Sequence, residues 1–146
     1  MDNFFALFDL IGVLARRRYQ TGERYFSTLG LNHTEARLLT LLGREGGTTT
    51  QEALSNLIFV DRSNAGRALK RLEAGGYIER RKDNTDKRTN LVHITAKGDM
   101  TVVELSKLRI EMAQSFFGTL TEDEAGTILK ILQKAIINED SAEAVQ

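Results

Sequence analysis

Apolar residues recur along most of this chain at the three- and four-residue spacing that is typical of amphipathic helices. The first segment, residues 2–28, shows this spacing over a long stretch. Short apolar runs that lack the spacing occupy residues 76–78 and 91–94, and they predict two strands at residues 77–80 and 91–94. The pattern as a whole predicts a mainly α-helical protein, with helices at about residues 2–28, 33–45, 51–57, 62–74, 96–117 and 122–137.

Capping residues and glycines mark the expected helix ends. Asn32 with Glu35, and Thr121 with Glu124, have the spacing of capping boxes. In such a box each side chain accepts a hydrogen bond from the other residue's backbone N–H. The other expected markers are caps at Asp61, Thr95 and one of the threonines Thr48, Thr49 and Thr50, and terminating glycines at Gly46, Gly47, Gly75 and Gly76.

The two predicted strands flank a charged stretch, RRKDNTDKRTN at residues 80–90, and would form a hairpin around it. Directly before the hairpin stand two predicted helices that are joined by a short turn. A helix-turn-helix followed by a hairpin is a winged helix-turn-helix. The expected fold class is therefore mainly α with a small β-hairpin wing, to which the long terminal helices add a bundle.

Composition narrows the class of protein. The chain has 146 residues, which is most simply one unit, and no cysteine, which excludes disulfides, zinc–thiolate sites and iron–sulfur ligation. The opening MDNFFALFDLIGVLARRR is not expected to be a targeting segment, because Asp2 and Asp9 interrupt the apolar run and the arginines follow it. It is also too short to span a membrane. We expect a cytoplasmic protein with no membrane contact.

Charge is balanced overall but uneven along the chain. Residues 62–90 carry nine basic and four acidic side chains, a net charge of +5, whereas residues 119–146 carry six acidic side chains and two lysines, a net charge of −4. The phosphates of a nucleic acid respond to the charge of the surface that they contact and not to the net charge of the whole chain. The basic segment is therefore a candidate surface for nucleic acid.

The second helix of the motif and the hairpin carry the side chains that this chemistry needs. The major groove of B-DNA admits one α-helix, whose arginine and asparagine side chains can contact base edges, while lysine and arginine elsewhere bind phosphate. The recognition-helix candidates are Arg62, Ser63, Asn64, Gly66, Arg67 and Lys70. The candidates at the start of the preceding helix are Thr48, Thr50 and Gln51, and those in the wing are Arg80, Arg81, Lys82, Lys87, Arg88 and Thr89.

Two wing residues have distinct expected roles. Arg88 would reach the minor groove, whose negative potential favours arginine where it is narrow. An acid at a phosphate surface repels DNA, so Asp86 is expected to orient Arg88 or a recognition-helix arginine by a charge-assisted hydrogen bond. The alternatives are a solvated helix face and a charged turn with no ligand.

Three stretches of the chain resemble the multiple-antibiotic-resistance regulator (MarR) family. Residues 50–81 resemble its helix-turn-helix and first wing strand, and residues 29–42 resemble the helix before it. Residues 86–98 match the wing signature, which comprises Asp86, Arg88, Ile94, Thr95 and Gly98. The chain departs from the family at Phe59, where glycine is frequent, and at Ser55, where alanine is common.

The resemblance implies a homodimer that represses transcription from a pseudo-palindromic operator. It assigns residues 1–30 and 96–137 to dimerisation and residues 31–95 to DNA binding, and the acidic tail 138–146 is expected to fray. It also implies a small aromatic or anionic effector. Candidate effector-pocket residues on the first helix are Phe8, Ile11, Arg16 and Tyr19.

An enzyme is not expected, since the chain has no glycine-rich phosphate loop, no paired carboxylates and no nucleophile with an evident base. His33 and His93 lack metal-ligand spacing and are assigned structural roles, so neither a metal nor a cofactor is expected. The other hypothesis is a winged helix that binds a protein instead of DNA. Steep salt dependence would favour DNA, because phosphate contacts release counterions.

Overall fold

The computed structural model describes the backbone of residues 2–58 and 62–145 and the side chains of residues 2–58 and 63–136. The predictions for the Phe59 turn, the Asp61 cap and the Arg62 side chain lie outside these residues. The chain divides into two compact units, Met1–Met112 and Ala113–Gln146.

The predicted mainly helical architecture with a small sheet is confirmed. In the described residues the helices are α1 (Asn3–Phe26), α2 (His33–Arg44), α3 (Gln51–Ile58), α4 (Arg62–Ala74), α5 (Ala96–Phe116) and α6 (Glu122–Val145), with a 3₁₀ turn at Ser27–Leu29. The strands are β1 (Thr48–Thr50), β2 (Ile78–Lys82) and β3 (Asn90–Ile94).

Both predicted capping boxes are present. In the first, Asn32 Oδ1 accepts from the Glu35 backbone N–H at 2.8 Å, and Glu35 Oε1 accepts from the Asn32 N–H at 3.2 Å. In the second, the corresponding distances between Thr121 and Glu124 are 3.1 and 2.9 Å. The expected cap at Thr95 also forms, since its hydroxyl accepts from the Gly98 N–H at 3.1 Å. Local sequence therefore determines where these helices begin.

The sheet has three strands in the order β1-β3-β2, all antiparallel, and not the predicted two. The added strand, β1, pairs Thr48 with His93 and Thr50 with Leu91. Thr50 also caps α3, because its hydroxyl accepts from the Ala53 N–H at 3.1 Å. A three-residue strand that runs directly into a helix has no alternation to detect, so the pattern indicates only its capping role.

The core of the first unit surrounds α2. Its leucines Leu38, Leu39 and Leu42 are fully buried, and so are apolar residues of α3, α4, β2 and β3. These are Leu54 on α3, Leu69 and Leu72 on α4, Ile78 on β2 and Val92 on β3. Fully burying a leucine contributes about 1.5–3 kcal/mol. Packing against α2 therefore fixes the orientations of α3, α4 and the sheet.

The last helix ends later than predicted. α6 continues to Val145, past residue 137, where its apolar pattern predicted the end, and the fraying expected of residues 138–146 stays a prediction. Alanine and glutamate are strong helix formers, which explains why the helix extends past the last apolar position of its pattern. None of the described helices has the length and apolar content needed to cross a membrane.

Gly98 allows the start of α5 to lie against the wing. A Cβ atom at this position would lie 2.3 Å from the Tyr77 carbonyl oxygen and 2.6 Å from Ile94 Cγ1. A separation that short is not compatible with a real Cβ atom, and one of the two neighbours is backbone. The glycine of the wing signature is therefore required by packing.

We predict that Gly98→Ala lowers the free energy of unfolding by about 1–3 kcal/mol, because the methyl group overpacks this contact. Gly66→Ala is the matched control, since a Cβ at Gly66 of α4 would have no atom within 4 Å. The control should be neutral or more stable by up to about 1 kcal/mol. Urea unfolding of the three proteins measures this, and equal stabilities would contradict it.

His33 has the structural role that the sequence suggested. Its ring packs against Tyr19, with ring centroids 4.8 Å apart, and a Cβ at Gly22 would lie 2.9 Å from its Nδ1. Its backbone N–H donates to Glu23 Oε1 at 2.8 Å. Burial lowers the pKa of His33 below its ordinary value of 6.5, against an opposing effect of the Glu23 carboxylate.

This environment predicts a pH dependence of stability. Because the folded state has the lower pKa, the unfolded state binds the proton more readily, so stability falls as pH drops through 6.5. We expect the melting temperature to fall between pH 7.5 and 5.5, and to fall less in His33→Gln. Thermal unfolding followed by circular dichroism measures both, and parallel curves for the two proteins would argue against this role.

Candidate nucleic-acid interface

Helix α4 has one apolar face and one polar face. The apolar face is buried and comprises Ala65, Ala68, Leu69 and Leu72. The predicted recognition residues lie on other sides of the helix. Ser63, Arg67 and Lys70 are exposed, and Asn64 and Gly66 are half-buried. The buried face thus determines that the arginine and serine side chains point to solvent.

Glu35 anchors α4 to the start of α2. Its carboxylate is buried, takes part in the capping box with Asn32, and lies 3.6 Å from Arg71 Nε. A buried carboxylate needs such partners, because an unpaired one is costly. Arg71 therefore has an acidic partner within the protein. The sequence pattern identified Glu35 only as a capping residue.

The residues predicted at the start of α3 occupy three different environments. Thr48 is exposed, and its hydroxyl lies 3.0 Å from His93 Nδ1. Thr50 is half-buried and caps the helix. Gln51 is half-buried, and its Oε1 is buried without a hydrogen-bond partner in the described part of the chain. The three residues lie within four positions of one another, where β1 runs into α3.

The tip of the wing turns on Asp83, which sequence reasoning did not single out. Its Oδ1 accepts from the Thr85 N–H at 3.0 Å and from the Thr85 hydroxyl at 2.9 Å. The Asp83 N–H donates to the Thr89 carbonyl at 2.9 Å, and the Thr89 N–H donates to the Asp86 carbonyl at 2.9 Å. Such aspartate turns replace glycine. The sequence signal for this turn was Asp83, which stands two residues before Thr85.

Asp86 lies beside Arg88, one of the two partners expected for it. Its Oδ1 accepts from the Arg88 backbone N–H at 3.0 Å and from Nε at 3.2 Å. These bonds hold the pKa of Asp86 below its ordinary value. The Arg88 side chain is 93% exposed, so the guanidinium projects from the wing.

The basic side chains of the interface fall into two groups. Arg80, Arg81 and Arg88 each have an acidic partner: Glu73 at 3.1 Å, Glu79 at 3.3 Å and Asp86 at 3.2 Å. Within the described residues, no ion pair involves the second group, which comprises Arg67, Lys70, Lys82 and Lys87. Lys82 and Lys87 are exposed on the wing. This second group supplies uncompensated positive charge.

The four candidate effector-pocket residues all lie on α1 and are exposed in the single chain. Phe8 is 79% exposed, and Ile11, Arg16 and Tyr19 are also exposed. The ring of Tyr19 packs against His33. The described residues therefore do not enclose these four side chains, and any closed pocket around them needs another surface. The described residues contain no group of histidine, aspartate or glutamate side chains suited to a metal ion.

A short helix, a second helix with an exposed basic face and an antiparallel wing define a winged helix-turn-helix protein. The sequence model of the MarR family matches residues 29–89. The HTH-type transcriptional regulator YkoM of Bacillus subtilis is 32% identical over 110 residues, which cover 75% of this chain and 70% of YkoM. The chain belongs to the MarR family of transcriptional regulators, and not to an enzyme family.

Solved structures agree with this assignment over nearly the whole chain. A crystal structure of MarR superposes with a TM-score of 0.82 at 25% identity and covers 100% of this chain and 99% of that one. A mutant MarR from Escherichia coli, solved in complex with operator DNA, has a TM-score of 0.76 at 27% identity and covers 92% of this chain and 99% of that one.

Proposed function

We propose that this protein is a homodimeric, sequence-specific regulator that binds double-stranded DNA and represses transcription. The observation that carries the proposal is the two-faced helix α4, whose apolar side is buried in the core while Ser63, Arg67 and Lys70 face solvent next to a basic wing. The resemblance to a MarR structure solved with operator DNA supports it. A regulator of transcription acts at the chromosome, so we expect it in the cytoplasm.

The recognition helix reads the major groove in this proposal. Asn64 and Arg67 have the side chains that pair with adenine and guanine edges, and Lys70, one turn later, would bind phosphate. At Gly66 the space beside the helix is open, which lets the backbone approach a base pair. Arg62 and Ser63 stand at the first turn, where recognition helices meet DNA.

The wing and the start of α3 position the protein on the flanking backbone. Lys82 and Lys87 are exposed and form no ion pair within the described residues, and the exposed Arg88 would enter a minor groove. The Arg88–Asp86 pair is too exposed to contribute much stability, so Arg88 can exchange its carboxylate for DNA at little cost. The further backbone contacts proposed are Thr48, Thr50, Gln51, Arg80, Arg81 and Thr89.

Exposed apolar side chains on both terminal helices support a homodimer. Phe4, Phe5 and Phe8 of α1 are highly exposed, as are Leu129 and Ile136 of α6. Apolar surfaces of this kind mark association sites. A two-fold dimer places two recognition helices on half-sites that are about 10 bp apart, so the proposed operator is a pseudo-palindrome.

An arginine cluster supports an effector that carries negative charge. Arg109 of α5 is half-buried, and its pKa is lowered by burial and by the charges of Arg44, Arg18 and Arg37. None of these four guanidinium groups forms an ion pair within the described residues. An anion would relieve this repulsion. In this proposal the effector also contacts Phe8, Ile11, Arg16 and Tyr19 of α1, and its binding shifts the spacing of the two recognition helices of the dimer.

Two variants test the DNA contacts. On duplexes from the region upstream of its own gene, we expect Arg88→Ala to weaken binding about tenfold and to lower the salt slope by about 1 per protomer. Arg67→Ala should reduce discrimination against unrelated DNA. Fluorescence anisotropy over a range of salt concentrations measures both effects.

The matched control is Lys107→Ala, which removes one exposed positive charge from α5. This control should leave the DNA affinity and its salt slope within about twofold of the wild-type values. Salt-independent binding, or no preference for any sequence in the wild type, would favour the alternative of a protein-binding winged helix.

A substitution on α1 tests the dimer. Phe8→Glu places a charge on a strongly exposed apolar surface, and we expect it to shift the protein to monomer. Operator affinity should fall about a hundredfold, because the two half-sites no longer bind together. Sedimentation velocity measures the assembly state, with Arg67→Ala as the variant that should stay dimeric. A dimeric Phe8→Glu protein would count against this interface.

A further inference from the structure

Glu73, near the end of α4, connects the recognition helix to the wing. Its Oε1 accepts from the Arg80 guanidinium at 3.1 Å, and its Oε2 accepts from the Arg80 backbone N–H at 3.2 Å. Both carboxylate oxygens therefore bind a single residue of β2. The turn at Gly75 and Gly76, where Gly76 has a φ of +80°, brings these two positions together.

This carboxylate also completes the sheet. β2 is an edge strand, because β3 lies on one side of it and no described strand lies on the other. The Arg80 N–H that points away from β3 would otherwise face solvent, and Glu73 accepts it. The recognition helix thus supplies the hydrogen-bond partner that a neighbouring strand would supply. Its contact with β2 involves backbone as well as side chain.

The Glu73–Arg80 pair is the least exposed of the three wing ion pairs. The Arg80 side chain is 23% exposed and Glu73 41%, against 64% and 61% for Arg81 and Glu79. The other two pairs join residues that are two positions apart on one strand or turn. Of these three ion pairs, only Glu73–Arg80 joins two elements, so it adds a polar restraint on the wing to the apolar packing that orients α4 and the sheet.

We propose that Glu73 is a positioning residue for operator recognition, which holds the wing at a fixed angle to the recognition helix through Arg80. This inference rests on the proposed DNA-binding function and changes one of its assignments. Arg80 acts as the partner of Glu73 and not as a phosphate ligand. The phosphate contacts of the wing then come from Lys82, Lys87 and Arg88.

The two roles for Arg80 predict opposite changes in DNA affinity when Glu73 is replaced. If charge alone mattered, removing the Glu73 carboxylate would strengthen DNA binding, since it frees Arg80 and lowers repulsion of phosphate. If Glu73 sets the wing angle, its removal misplaces the wing and weakens specific binding, although a negative charge is lost. Unrelated DNA, which needs no exact register, would be affected little.

The test compares Glu73→Ala, Glu73→Gln, Arg80→Ala and the double variant with Glu79→Ala. This control removes a neighbouring acid whose one ion pair among the described residues is with Arg81. We expect Glu73→Ala to weaken binding to the specific duplex about tenfold with an unchanged salt slope, a loss within the usual range for one lost specific contact. Glu73→Gln should lose less, because it can still accept the backbone N–H. The double variant should be no worse than either single variant.

Glu79→Ala should bind as tightly as wild type or slightly more tightly. Tighter binding by Glu73→Ala with a steeper salt slope would overturn the proposal. A salt slope lowered by about 1 per protomer in Arg80→Ala would do the same, because it would make Arg80 a phosphate ligand. Melting temperatures and sedimentation of all variants show whether the fold and assembly are intact.

A second readout needs no DNA and separates this proposal from the proposed function. Amide hydrogen exchange by NMR should be faster at Arg80 in Glu73→Ala than in wild type, and unchanged in Glu79→Ala. If Arg80 exchanges equally in all three proteins, the carboxylate does not restrain the wing. If exchange changes as expected but wild type selects no DNA sequence, the proposed function fails while the restraint stands.

Discussion

The packing of α4 against α2 is the interaction on which the rest of the structure depends. Leu69 and Leu72 of α4 are fully buried with Leu39 and Leu42 of α2, and each leucine contributes about 1.5–3 kcal/mol. Rotating α4 would expose these side chains and bury Arg67, at the cost of an unpaired charge. The apolar packing of α4 on α2, which makes no contact with DNA in this account, therefore determines which side chains of the helix can meet DNA.

Ion pairs then divide the basic residues of α4 and the wing into those that have an acidic partner and those that have none within the described residues. Arg71 and Arg80 bind Glu35 and Glu73 and so connect α4 to α2 and to β2. Lys82 and Lys87 have no ion pair in the described residues, which explains how a chain with no net charge can present a basic surface. The acidic residues of the basic segment 62–90 repel phosphate, but several of them also hold its arginines in place through ion pairs.

Much of the fold could be predicted from the sequence because its signals are local. The capping boxes at Asn32 and Thr121 follow from residues three positions apart, and the family assignment follows from the helix-turn-helix and wing residues. What could not be predicted depends on chain geometry. β1 has too few residues for a pattern, and the Glu73–Arg80 contact exists only because a glycine turn reverses the chain. The DNA contacts and the α1 pocket stay predictions, because each needs a partner molecule.

The central claim is that one surface, formed by the outer face of α4 and by the wing, meets DNA. Hydrogen exchange followed by mass spectrometry, with and without an operator duplex, tests it most directly. The account predicts that bound DNA slows exchange in peptides covering residues 62–70 and 80–90 and leaves the peptides of α6 unchanged. Protection confined to the terminal helices, or none in either of the two segments, would contradict it.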